Sequence, residues 1–289
     1  MAGKRVLVTG ATGNVGGGVI RSLSQARDVE LVAGARKPGT SELGVAQVYL
    51  DFSDPDSMAR ALVGIDRVLM VTGYTVDKLK QGKTFIDEAR KADVGYIVHL
   101  GSPGEDDTRV AHYGWEQLVE RYLEWSGIGF THLRPQIYMQ NLLGYGSTSL
   151  VDQGVIRQYV GDARLCWIDC EDISTIAALC LADPDNHTGK TYRLGAEVRS
   201  YHEVARIMSD VTGLHFVYEP QSPSEFLAKS VAAGAEPVYM RSVHDNYADL
   251  EAGRGPGVSQ SFEDFSLLTG KAPRSVRDFI ASHVDRFRY

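Results

Sequence analysis

Cysteine is scarce in this chain: three among 289 residues, at Cys166, Cys170 and Cys180. An odd number confined to one short region makes no disulfide framework, and buried reduced thiols are the simplest reading. Cys166 and Cys170 are joined by no second pair and by no histidine at finger spacing, so no metal site is expected. Long apolar runs are missing too. No stretch approaches the ~18 residues that cross a bilayer, and the N-terminus lacks the charged-then-apolar layout of a secretory signal. A cytoplasmic protein without a membrane partner is the expectation. Nor is there a surplus of basic charge: 30 Lys and Arg stand against 37 Asp and Glu, a net −7 without runs of one sign. Binding a nucleic-acid backbone needs a clustered basic surface, so that partner is disfavoured. Internal repeats and low-complexity tails are absent as well, and the 43% hydrophobic content is that of an ordinary globular chain.

What the chain does have appears at once. The apolar run Val6-Leu7-Val8-Thr9 meets Gly10-Ala11-Thr12-Gly13-Asn14-Val15-Gly16, and a helical pattern follows. Glycines at i, i+3 and i+6 suit a tight turn, close backbone approach to a pyrophosphate, and helix packing against a strand. The helix behind them aims unpaired N–H groups and a positive dipole end at the phosphates. Gly10, Thr12, Gly13, Asn14, Val15 and Gly16 are therefore candidate cofactor contacts.

Strand-like and helical runs then alternate. Strands are expected at Arg5–Thr9, Glu30–Ala35, Ala46–Leu50, Arg67–Thr72, Tyr96–Leu100 and Gly129–Leu133, with helices at Val15–Ala26, after Asp54-Pro55, near Val76–Ala92 and about His112–Trp125. Leu79, Phe85, Ile86 and Ala89 form the expected buried stripe of the third helix, and Trp115, Leu118, Val119 and Tyr122 that of the fourth. The rhythm predicts an α/β fold, a doubly wound parallel sheet of Rossmann type, with ligands at the carboxyl ends of the strands. Past Arg134-Pro135 the rhythm breaks. We expect a nucleotide-binding domain over residues 1–195, with 136–164 contributing to a substrate pocket, and a smaller C-terminal lobe over 196–289. A further short strand is expected at Thr191–Leu194.

The residue closing the second strand of such folds reads the adenosine ribose, an acid for the free hydroxyl and an arginine for a 2′-phosphate. Here the strand ends in Ala35-Arg36-Lys37 with no acid, so Arg36, helped by Lys37, argues for NADP(H), with NAD(H) as the alternative; a solvated loop charge is the other reading. Asp51 either meets the adenine amino group or closes a turn. Thr72 and Gly73 are candidate backbone neighbours of the nicotinamide.

These motifs, together with Ser126-Gly127-Ile128-Gly129-Phe130-Thr131-His132-Leu133-Arg134-Pro135, Tyr138-Met139-Gln140-Asn141-Leu142, Glu171-Asp172-Ile173, Thr188-Gly189-Lys190-Thr191-Tyr192-Arg193-Leu194 and Leu268-Thr269-Gly270-Lys271-Ala272-Pro273-Arg274, resemble the NmrA-like branch of the atypical short-chain dehydrogenases/reductases along essentially the whole chain. The resemblance implies a Rossmann domain with a smaller substrate lobe, bound NADP(H) or NAD(H), and activities such as reduction of quinones, azo dyes and triphenylmethane dyes. Better-known members of the wider superfamily carry Tyr-x-x-x-Lys on the fourth helix. In this chain the tyrosine position falls at His112 and the lysine position at Glu116, with Tyr113 one residue out of register.

A glutamate there accepts hydrogen bonds from ribose hydroxyls but raises a neighbouring phenol's pKa, which removes the acid–base engine of an alcohol dehydrogenase. Conjugated acceptors need less of one. His112 and Glu116 share a helix face, so His112 is either a proton donor toward the nicotinamide or a residue at the helix start paired with Glu116. Gly101 and Ser102 fall where the superfamily often has a serine near the substrate carbonyl; Ser102 either donates or closes the turn. Tyr138, Met139 and Asn141 are either substrate wall or ordinary packing, and His99 reads as a satisfied core histidine. The expected function is NADPH-dependent reduction of an aromatic or quinone-like small molecule by a monomer or homodimer. The alternatives are an NADP(H)-binding redox-sensing regulator and a tailoring oxidoreductase of secondary metabolism.

Overall fold

A computed structural model describes residues 3–26, 28–39, 43–144 and 150–288; residues 145–149 of the segment after Pro135 lie outside it. In chain order the strands and helices are β1 (Lys4–Val8), α1 (Asn14–Leu23), β2 (Val29–Ala35), β3 (Ala46–Tyr49), α2 (Pro55–Ala61), β4 (Arg67–Val71), α3 (Lys78–Lys91), β5 (Tyr96–Leu100), α4 (Ala111–Trp125), β6 (Gly129–Pro135) and β7 (Ile137–Tyr138). There follow β8 (Val151–Asp152), β9 (Val155–Gln158), β10 (Leu165–Ile168), α5 (Cys170–Ala182), α6 (Pro184–His187), β11 (Lys190–Leu194), β12 (Glu197–Arg199), α7 (Tyr201–Thr212), β13 (Val217–Pro220), α8 (Pro223–Ala232), α9 (Pro237–Glu251), α10 (Asp264–Thr269) and α11 (Val276–Ser282).

The chain divides into two compact units, and it crosses between them repeatedly. The first comprises residues 1–102, 115–134 and 173–192; the second comprises 103–114, 135–172 and 193–289. A single boundary near residue 195 therefore does not describe the chain, because residues 103–114 and 135–172 belong to the second unit.

In the first unit the sheet runs β11-β6-β5-β4-β1-β2-β3. The six expected strands are present and pair in parallel, and β11 adds a seventh at the edge beside β6. The order reverses between β1 and β4, which makes the crevice beyond their carboxyl ends the switch point of a doubly wound fold. Thr9 fixes that fork. Its hydroxyl donates to the Leu69 carbonyl at 3.0 Å and accepts from the Val71 N–H at 2.7 Å. Local chemistry sets the helix starts: Asp54 caps α2 by accepting from the Asp56 and Ser57 N–H groups, ahead of Pro55. Leu7, Met58, Leu62, Phe85, Ile86, Ile97, Val119 and Leu123 are buried together on one side of the sheet.

Helix α5 returns to α1 late in the chain. Ser174 Oγ donates to the Val15 carbonyl at 3.0 Å, and a Cβ at Gly18 would lie 2.2 Å from that hydroxyl, so only glycine permits the approach.

The second unit holds two three-stranded sheets, β12-β10-β7 and β13-β9-β8. Its core joins Met139, Trp167, Tyr201, Tyr218, Val276, Phe279 and Ile280. The three cysteines are free and buried, and burial pushes the thiols of Cys166 and Cys180 up to about 12, which leaves them unreactive. Among the described residues no helix is long and apolar enough to cross a membrane.

Candidate functional site

At the switch point the glycine turn has the geometry its spacing requires. Gly10 sits at φ +60°, in the left-handed region, and accepts from the Gly13 N–H at 2.9 Å. A Cβ on Gly16 would lie 2.3 Å from the Gly10 carbonyl oxygen, so the third glycine is what lets α1 close on β1. Thr12, Gly13 and Asn14 are exposed, and Val15 is buried beneath them. No side chain caps α1 and its first turn carries no acid, so its N–H groups and dipole are left for an external anion. That vacancy of charge suits a diphosphate.

Arg36 and Lys37 follow directly on β2 and are exposed. Among the described residues Arg36 has no carboxylate partner. Asp51 is half-buried, and its carboxylate accepts from the Ser53 N–H at 2.7 Å. The turn-closing reading of Asp51 is thus realised locally.

Helices α3 and α4 run antiparallel to their strands, so their N-terminal turns reach the carboxyl ends of the sheet. Here the fourth helix departs from the expected stripe. Glu116, Gln117, Val119, Glu120 and Leu123 are the buried residues of α4, whereas Leu118 is 54% exposed and Trp115 and Tyr122 are half-buried. The third helix departs in the same way: Lys78 is buried and Leu79 is exposed. The cause lies in the strands these helices cover. Alternate residues of a strand share a face, and along β6 one face passes from Phe130 to His132 to Arg134, along β5 from Ile97 to His99. A polar strand end selects polar helix residues opposite it.

These residues form a buried charged cluster. Lys78 Nζ donates to Thr72 Oγ1 at 2.7 Å and to Glu116 Oε1. Glu116 Oε2 lies 3.4 Å from His99 Nε2, near enough to attract and too poorly aligned for a hydrogen bond. Burial alone would raise the Glu116 carboxyl; the approach of His99 and the Lys78 charge outweigh it and hold the group below the usual carboxylate value. Arg134 donates to Glu120 through Nε and through Nη2, the latter at 2.6 Å. Burial, with the charges of His99, Arg121 and Arg134, pushes His132 down to about 2, so its ring is neutral. His99, Glu120 and His132 bring possible ligand atoms within 4.8 Å of one another. Both Glu120 oxygens already accept from Arg134, which makes this an ion-pair network.

Lys78 takes Oε1 of Glu116, while Oε2 is buried 3.4 Å from His99 and has no hydrogen-bond partner among the described residues. His99 is buried in the core, but neither ring nitrogen has a hydrogen-bond partner among the described residues, so it is not the satisfied histidine expected. Gly73 is exposed, Thr72 half-buried, and Gly101 packs toward Glu120 and His99. The Ser102 hydroxyl is buried and without a hydrogen-bond partner among the described residues. Such an orphaned polar atom at a strand end fits a ligand rich in hydroxyl groups.

The remaining candidates belong to the second unit. His112 is held by Ser242 of α9, whose hydroxyl lies 2.8 Å from Nδ1 and accepts from the His112 backbone N–H at 2.9 Å. The His112 and Tyr113 rings meet edge-on with centroids 4.4 Å apart. Tyr138 and Asn141 are half-buried, and Met139 is fully buried in the core, where it offers no surface to a ligand. An apolar hollow of about 880 Å³ in this unit is lined by Ala111, Leu227, Val231, Val238 and Ser242, beside His112 rather than Tyr138 or Asn141.

Lys78, Glu120, Arg134 and His132 were not singled out as site residues by sequence reasoning. The signal was present for Lys78: it adjoins Leu79 at the head of a helix facing the strand ends.

Sheet order, switch point and glycine turn define a Rossmann-type protein. The profile of the NmrA-like family matches residues 2–266, and the chain belongs to that family. It is similar to the NAD(P)H azoreductase of Xenophilus azovorans, 26% identical over 287 residues, with 98% of this chain and 99% of that protein covered. Among solved structures, the NADPH-dependent quinone oxidoreductase of Escherichia coli complexed with NADPH superposes with a TM-score of 0.81 at 23% identity, covering 97% of this chain and 99% of the other. NmrA, a negative transcriptional regulator in complex with NADP, superposes with a TM-score of 0.77 at 18% identity, covering 99% and 96%. These two likenesses establish the shared fold.

Proposed function

We propose that this protein is an NADPH-dependent reductase acting on a conjugated, aromatic or quinone-like small molecule: a quinone, an azo compound, an imine or a dye-like cation. The observation that carries the reading is the uncapped glycine turn at the switch point, with Arg36 following directly on the neighbouring β2, exposed and without a carboxylate partner among the described residues. The relative named an azoreductase and the structural neighbour named a quinone oxidoreductase support the same reaction class. Bound NADPH would supply the hydride. The chain's own part is to hold the diphosphate on the backbone of Gly10 to Gly16 and to meet a 2′-phosphate with Arg36 and Lys37. The absence of a lysine on α4 favours acceptors whose reduced form is stabilised by conjugation, for these ask little of an acid catalyst.

The test is NADPH consumption with menadione, an azo dye and a triphenylmethane dye, beside binding titrations of NADPH and NADH. Turnover of at least one acceptor is expected. Arg36→Ala is expected to weaken NADPH by about 1–3 kcal/mol and leave NADH unchanged; equal losses would remove the cofactor assignment. A redox-sensing regulator is the second reading, favoured by the Lys78 charge locked onto Glu116 and by the structural likeness to NmrA. Tight NADPH binding with no turnover across the acceptor panel would select it. A tailoring oxidoreductase would share the first reading's chemistry and differ in its acceptor.

A further inference from the structure

Lys78 is buried where an ammonium is expensive to keep. Its side chain is 6% exposed, and taking such a charge out of water costs several kcal/mol unless partners replace the solvent. Glu116 and the Thr72 hydroxyl account for two of its three N–H donors. Thr72 is the first residue past β4, and β4 forms one wall of the switch point. An ion pair that served only to join α3 to α4 would be satisfied at any depth of the sheet. This one stands at the strand ends, as does Ser102, past β5, whose buried hydroxyl has no hydrogen-bond partner among the described residues. A spare ammonium donor and an orphaned hydroxyl are together the complement of a sugar's vicinal hydroxyls.

We propose that Lys78, presented by α3 and aligned by Glu116, binds the ribose of the nicotinamide half of the dinucleotide, with the Ser102 hydroxyl as its companion. The assignment rests on the dinucleotide reading above and adds to it a residue from an unexpected helix. Cation and carboxylate have exchanged places relative to Tyr-x-x-x-Lys: the carboxylate stands on α4, and the ammonium reaches across to it. Glu116 is then a positioning residue, whose carboxylate fixes Lys78 Nζ against Thr72 and does not itself meet the ligand.

The experiment is calorimetric titration of the full chain with two probes, NADPH and adenosine 2′,5′-bisphosphate. The second carries the adenosine half with its 2′-phosphate and has no nicotinamide ribose. The variant is Lys78→Met/Glu116→Gln, which removes both charges so that neither is left buried alone. The expected result is an NADPH Kd raised tenfold or more, with the bisphosphate Kd within twofold of wild type. Unchanged NADPH affinity would overturn the assignment, and so would equal losses for both probes, which mean a deformed crevice. Should the double variant not fold, Lys78→Gln keeps an amide donor for Glu116 and is judged by the same two results. Wild-type protein that bound neither probe would bring down the dinucleotide reading and this assignment with it. Wild-type binding of both with an insensitive variant would bring down the assignment alone.

Discussion

Along one face of β6 the first unit passes from Phe130 to His132 to Arg134, whereas the core of the second unit, from Met139 through Trp167 and Tyr201 to Phe279, stays apolar and aromatic. Both interiors exclude water, and they use the exclusion differently. In that apolar cluster of the second unit burial converts directly into stability, about 1.5–3 kcal/mol for each large side chain. In the first unit the apolar layer stops short of the strand ends, and Lys78, Glu116, Glu120 and Arg134 are held there by one another. Buried ion pairs are weak evidence for stability. These stand against Thr72, His99 and Arg134, toward the carboxyl ends of β4, β5 and β6.

The comparison can be broken most sharply at Arg134. Arg134→Met leaves Glu120 buried with only the more distant Arg121 guanidinium, at 3.7 Å, to offset its charge, and should cost about 3–5 kcal/mol in urea unfolding. Glu120→Met/Arg134→Met should recover most of that loss, and a double variant as unstable as the single one would show that the pair was not the cause. Phe279→Ala in the second unit should cost a similar or slightly smaller amount, about 3–4 kcal/mol, by leaving a cavity. No charge change nearby would rescue it.

A smaller effect separates the units by pH. Burial raises the Asp172 carboxyl to about 6 from 3.8, against the Arg274 N–H, which lowers it. With the folded pKa above the unfolded one, the group's contribution is complete below about pH 3.8 and is lost as pH rises through about 6. Asp172→Asn should therefore gain about 1–3 kcal/mol on wild type between acid and neutral pH, read as the difference in urea midpoints. The smallest effect is expected at His112. His112→Ala should lower kcat/KM for menadione by less than the ~10²-fold usual for a general acid; a profile unchanged from about pH 5 to 9 would exclude it as a proton donor.

What the sequence disclosed depended on whether a residue's role was local. The β1–α1 turn was legible because each glycine answers a backbone constraint set within seven positions. The Asp54 cap was legible for the same reason. The buried faces of α3 and α4 were misjudged because an apolar-stripe rule selects Leu79, Trp115 and Leu118, while the strand ends opposite, His99, His132 and Arg134, select Lys78, Glu116 and Glu120. That choice is made by residues fourteen or more positions away. The interleaving of the units was likewise hidden, since residues 103–114 leave the first unit and the chain returns within the same helix.

The late return of α5 to α1 carries a consequence for biogenesis. The hydroxyl seated against Val15 belongs to a residue 159 positions downstream, and the edge strand beside β6 ends at Leu194. A nascent chain emerging from the ribosome can assemble β1 to β6 but cannot seal them until those segments have been synthesised. Long-range closure of this kind slows folding and leaves an edge uncovered meanwhile. Truncation before residue 173 should accordingly yield an aggregating fragment, and supplying the missing piece in trans should rescue it.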